Sequence, residues 1–167
     1  MPNMLTGWTA GNARGGSFWV GVLVDAQSDQ WVSKLGVYVW PGVTGTTTVA
    51  LVDQTVGGAV RAQVAVNMTG HDGAFVYGSI TPFKITAGTR YAVTADSSMM
   101  GQWSDANGSD ATYTTDFVPY SACYNSSIDG VYQAAGGSTW WQYVGVDLVY
   151  GAVPPIPEGA AAILVGV

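Results

Sequence analysis

"QWVSKLGVYVW", residues 30–40, decides how this chain is to be read. Trp31, Leu35, Val37 and Val39 fall at odd positions and Lys34, Gly36, Tyr38 and Trp40 at even ones, before Pro41-Gly42. Side chains of a strand point alternately to its two faces, so the odd set predicts a core-facing side. The even set then turns aromatic rings away from that core. Proline cannot donate to a sheet ladder, and the strand is expected to stop there.

The same period of two recurs along the chain. In "SFWVGVLVD" (17–25), Phe18, Val20, Val22 and Val24 make the better core face, with Trp19, Gly21 and Leu23 opposite. "TTVALVD" (47–53), "GAVRAQVAVN" (58–67), "GAFVYGS" (73–79) and "TRYAVTA" (89–95) read as further strands. In the second of these Val60, Ala62, Val64 and Val66 alternate with Arg61, Gln63 and Asn67, a half-buried pattern. Gly57-Gly58, Asp72-Gly73 and Ala87-Gly88 stand where turns need positive φ. In "WWQYVGVDLVY" (140–150), Trp140, Val144, Val146 and Leu148 form an apolar stripe, and Trp141 and Tyr143 point the other way. The positions expected to be buried are Val20, Val22, Leu35, Val37, Val39, Val64, Val93, Val144, Val146 and Leu148.

Composition agrees with an all-β chain. Only 10% of the 167 residues are charged, and there are 23 glycines. An ordinary soluble domain carries about a quarter charged residues, so strands and turns dominate this reading. The five basic residues, Arg14, Lys34, Arg61, Lys84 and Arg90, are scattered singly in a chain of net charge −6. That pattern gives no cationic footprint for a phosphate backbone, and nucleic acid is not an expected partner. No apolar run is long enough to insert in a bilayer, and "MPNMLTGWTAGNARGG" does not read as an export signal.

Four parts are expected: an N-terminal arm (1–16), a single antiparallel β-sandwich of jelly-roll-like type (17–150), a proline-rich connector (151–159) and an apolar strand or tail (160–167). Residues 96–138 interrupt the regularity with a long run rich in Ser, Asp, Asn and Gly. Long loops in compact domains often carry function, so a binding role is weighed for this stretch against irregular packing. The tail "AAAILVGV" is apolar enough to need a docking partner, and it is expected to dock by strand addition or packing between subunits.

Catalytic chemistry finds little footing. His71, the one histidine, sits in the turn-like "TGHDGA" without nearby partners for a metal site or a triad. Paired-carboxylate chemistry would have to use aspartates, since Glu158 in the connector is the only glutamate. "DANGSD" with Asp105 and Asp110, followed by Asp116, offers oxygen ligands for a structural calcium ion, although the spacing fails the EF-hand pattern. No other cofactor is expected. Cys123 reads as a small half-buried side chain rather than a reactive thiol.

"SKLGVYVW", "TTTVALVDQTVGGAV", "SITPFKITAGTRYAVTAD" and "YVGVDLVY" occur in that order, and together they resemble the DUF4082-like β-sandwich domains. The resemblance covers roughly residues 17–150 and implies a jelly-roll-like fold of the kind seen among carbohydrate-binding modules, with no catalytic residues to carry over. Relatives of that kind are usually pieces of long secreted chains. A small protein read as having no export signal fits instead a phage particle assembled in the cytoplasm. The expected role is a non-enzymatic structural or decoration protein at the virion surface, docked on other virion subunits and homo-oligomeric. The alternative is an extracellular module that binds cell-surface glycan. In both readings the contact residues are the outward aromatics Trp19, Trp141 and Tyr143, with Tyr38, Trp40 and Trp103, because sugar rings and protein interfaces both favour Trp and Tyr.

Overall fold

The computed structural model describes residues 1–7, 18–97, 111–134 and 145–151, and the backbone of 12–14 and 103–105. The protein is an all-β sandwich of antiparallel sheets. Its strands are β1 (Leu5–Gly7), β2 (Asn12–Arg14), β3 (Trp19–Ala26), β4 (Gln30–Val39), β5 (Thr46–Asp53), β6 (Ala59–Asn67), β7 (Ala74–Ile85), β8 (Arg90–Asp96), β9 (Trp103–Asp105), β10 (Thr112–Tyr113), β11 (Phe117–Asn125), β12 (Gln133–Ala134) and β13 (Val146–Gly151). One layer is a six-stranded sheet in the order β12-β11-β3-β8-β5-β6, and the other is β13-β4-β7. Short pairs β1-β10 and β2-β9 complete the described ladders. The chain passes between the two layers at β3 to β4, β4 to β5, β6 to β7 and β7 to β8, the kind of crossing that makes the sandwich jelly-roll-like.

Alternation explains the core between the layers. Val22 and Val24 from β3, Leu35, Val37 and Val39 from β4, Val49 and Leu51 from β5, and Val93 from β8 are fully or almost fully buried. Each such side chain contributes about 1.5–3 kcal/mol of burial. Val20, Val146 and Leu148 are buried too, and Val64 packs half-buried against the same core. Val144 lies outside the described residues. The turn glycines Gly57, Gly58, Gly73 and Gly88 take φ of 75° to 81°, in the left-handed region the turns require.

Three expectations about facing are corrected. Phe18 lies ahead of β3, 45% exposed, with its ring edge-on to Tyr124 instead of in the core. A register shift between Val32 and Lys34 puts Val32 into the core and leaves Trp31 half-buried. A second shift, between Leu51 and Val52, pairs Val52 with Val60 and swings Val60 off the main core. An inserted residue reverses the faces beyond it, so a period-two reading holds only up to the bulge.

Within 96–138, residues 111–134 are more ordered than their composition suggests. They supply β11, a nine-residue strand laid along β3 from Phe117 opposite Ala26 to Asn125 opposite Trp19. They also cover the outer face of the six-stranded sheet. There Leu23, Ala50, Val52, Ala92, Cys123 and Tyr132 form a second buried cluster, with Trp19, Val60 and Ile128 against it. Tyr132 anchors the cover. Its hydroxyl meets Thr94 Oγ1 at 3.2 Å and donates to the Ile128 carbonyl at 3.1 Å. Gly130 N donates to the Gly58 carbonyl at 2.9 Å, and any side chain at Gly58 would collide with the Gly130 backbone.

The N-terminal residues are woven into the smaller layer. Asn3 bridges Val149, Met4 is fully buried in the main core, and Met4 N donates to the Leu148 carbonyl at 2.9 Å.

Candidate functional site

Two surfaces on opposite sides of the sandwich carry chemistry. The first is the outer face of β13-β4-β7. Tyr38 pairs with Phe75 and Gly36 with Tyr77 across β4 and β7, so the rings of Tyr38, Phe75 and Tyr77 share that face. The rings meet in a row: Tyr38 to Trp40 at 5.2 Å and 80°, Tyr38 to Phe75 at 5.6 Å and 67°, Phe75 to Tyr77 at 6.2 Å and 27°. All four are half-buried. Two steeply inclined pairs make a ridged surface rather than a flat one.

Tyr77 is the fixed end of that row. Its hydroxyl donates to Asp147 Oδ2 at 2.7 Å and accepts from Asn3 Nδ2 at 3.0 Å. Asp147 also accepts from Leu5 N at 3.0 Å and from Leu148 N at 2.8 Å. Burial pushes the Asp147 carboxyl up despite these donors, and burial together with the neighbouring carboxylate pushes the Tyr77 phenol up. The group reads as a structural knot tying the N-terminal strand to β13 and β7.

The second surface is a groove of about 660 Å³ on the outer face of the six-stranded sheet. At its floor Arg90 of β8 stands directly opposite Asp25 of β3. Arg90 donates through Nε to Asp25 Oδ1 at 2.6 Å and through Nη2 to Oδ2 at 2.8 Å, a two-point fork that matches guanidinium to carboxylate. Hydrogen bonding to Asp25 holds the guanidinium still more firmly protonated. Tyr120 lies over it, the guanidinium carbon 3.4 Å from the ring centroid, and remains 58% exposed. A register shift between Pro119 and Ser121 lifts Tyr120 out of the ladder.

The opposite wall comes from the β5–β6 turn. Gln54 accepts from Tyr132 N at 2.8 Å through Oε1, while its Nε2, although buried, has no protein acceptor. Thr55 beside it donates to Asp53 Oδ1 at 2.6 Å, and Arg61 holds Asp53 Oδ2 at 3.0 Å. Val131, 63% exposed, stands at the rim.

The residues singled out from sequence are distributed as follows. Tyr38 and Trp40 come together on the first surface, joined by Phe75 and Tyr77, which period-two reading of "GAFVYGS" places on one face. Trp19 is half-covered by the second cluster and serves neither surface. Trp141 and Tyr143 lie outside the described residues, as do the side chain of Trp103 and the segment 152–167.

Of the three calcium candidates, Asp110 and the side chain of Asp105 lie outside the described residues. Asp116 accepts from Ser28 Oγ at 2.6 Å and from Tyr150 Oη at 2.9 Å. Those donors, Ser28 first, hold its carboxyl below the usual range. Among the described residues no three His, Cys, Asp or Glu side chains are grouped to hold a metal ion.

His71 is an exposed turn residue. Cys123 is fully buried rather than half-buried, and burial pushes its thiol well up. Arg90, Gln54 and Tyr120 were not foreseen. The stretch that contains Tyr120 carried the only sequence signal. Among the described residues no helix is long and apolar enough to cross a membrane. Compared with models of protein families the chain matches none, and no curated protein matches it in sequence.

Proposed function

We propose that this chain is a non-enzymatic structural or decoration protein of a phage particle, a sandwich with a carbohydrate-binding-like fold that docks on other virion subunits. The observation that supports docking is the aromatic row Tyr38, Trp40, Phe75 and Tyr77 on the outer face of the smaller sheet. Its inclined rings suit the interdigitating side chains of a protein partner better than the flat face of a sugar. Aromatic anchors at the centre of such an interface contribute about 2 kcal/mol or more each. The test is occupancy on purified particles, measured by quantitative immunogold labelling. Wild-type chain is expected on the particle, and the double variant Tyr38→Ser, Phe75→Ser is expected to be largely lost from it while remaining folded by circular dichroism. Particles that carry none of the wild-type chain would end this reading.

A second reading, a glycan-binding module, is favoured by a different observation, the polar groove under Tyr120 on the opposite side of the molecule.

A further inference from the structure

We infer that the groove between Tyr120 and Gln54, floored by the Arg90–Asp25 pair, is a binding site for an uncharged saccharide. The inference rests on the glycan-binding reading and names its site and the class of its ligand.

Three features of the groove select that ligand. The first is charge. Both Arg90 nitrogens that face Asp25 are committed to its two carboxylate oxygens, so the floor presents a neutralised pair. The charges of the pair cancel, so the floor offers neither an anion nor a cation the pull of an unpaired opposite charge.

The second feature is the ring. Tyr120 is held with one side against the guanidinium at 3.4 Å while more than half of the residue stays exposed. A phenol fixed in that way is a stacking surface for the C–H face of a pyranose. On the other surface Tyr38 is steeply inclined both to Trp40 and to Phe75.

The third feature is an unmet donor. Gln54 Nε2 is buried in the groove wall without an acceptor, although its Oε1 is bound to Tyr132 N. A buried polar group without a partner costs about 1–3 kcal/mol, and such groups in native proteins call for an explanation. A side-chain shift of the size common on binding would bring this donor to a sugar hydroxyl. Gln27 and Thr55 bring further amide and hydroxyl groups to the same walls. The volume, about 660 Å³, falls within the range of small-molecule sites, roughly 300–1,000 Å³.

The experiment is isothermal titration of the purified full chain with the cello-, xylo-, manno- and malto-hexaoses, and with oligogalacturonate as the anionic comparison. At least one neutral hexaose is expected to bind and oligogalacturonate is not. Tyr120→Ala should weaken the neutral ligand about tenfold or more, as loss of a central aromatic contact does. Tyr120→Phe should restore most of the affinity, and His71→Ala, in an exposed turn that does not line the groove, should leave it unchanged. If no neutral hexaose binds, the site and the glycan reading fall together. If one binds but Tyr120→Ala leaves its affinity intact, or if the anionic oligomer binds better, the site and ligand class named here are wrong while the glycan reading stands.

Discussion

Tyr77 reaches Asp147 across Gly36, hydroxyl to carboxylate at 2.7 Å, with the tyrosine ring lying where any side chain on Gly36 would sit. Three strands are joined at that point, since Gly36 pairs with Tyr77 on one side and with Asp147 on the other.

Gly36→Ala is therefore expected to displace a ring that cannot move without giving up a buried hydrogen bond. Overpacking of this kind costs about 1–3 kcal/mol. Urea denaturation of the variant should show the lower midpoint, and an unchanged midpoint would mean that the ring has room to shift.

Asp147 makes a prediction with a sign. Burial raises its carboxyl above the ordinary 3.8. The folded protein thus takes up this proton before the unfolded chain does, and the group adds stability as pH falls from the raised value towards 3.8. Asp147→Asn removes that gain and mispairs one of the donors that converge on the carboxylate, a loss of about 1–3 kcal/mol at neutral pH. The stability gap between wild type and variant should widen from pH 7 towards pH 4. A gap that narrows would show the carboxyl to be depressed instead.

Asp116 works in the opposite sense. Its hydrogen bonds from Ser28 and Tyr150 lower the folded carboxyl, so its contribution is present above 3.8 and is lost as pH falls through the depressed value. Asp53 behaves alike, the Thr55 and Arg61 bonds outweighing the burial that acts to raise it. Asp116→Asn should flatten the decline in stability below about pH 4. An acid limb as steep as that of wild type would place the acid-sensitive groups elsewhere.

Much of the fold was legible because β3 to β8 keep a period of two over long stretches, with glycine turns at every connection after β4. Leu35, Val37 and Val39 could be placed inward without any knowledge of their partners. Trp31 and Val60 could not, because the register shifts that turn them lie in strand pairing and leave no mark in a single strand. β11 was hidden for another reason: "FVPYSACYN" carries a proline and small polar residues, which local propensity reads as loop. Its strand character comes from the long ladder with β3. The aromatic row was half legible, since parity put Tyr38 and Trp40 on the outer side but only the β4–β7 register brings Phe75 and Tyr77 beside them. The Arg90–Asp25 floor was invisible for the same reason, two ordinary charged residues 65 positions apart until the β3–β8 pairing sets them face to face.

Pro119 and the two residues of β12 have a consequence for how copies of this chain meet one another. An open, flat strand at the side of a sheet is a template on which a second chain can grow, and natural sheets blunt it with proline, bulges and very short outer strands. Here β11 carries both the proline and the register shift, and among the described residues its outer neighbour β12 offers only Gln133 and Ala134. Backbone-to-backbone growth from that side is discouraged. Contacts made through side chains on the broad faces need no such growth and can be made and released without rewriting any strand.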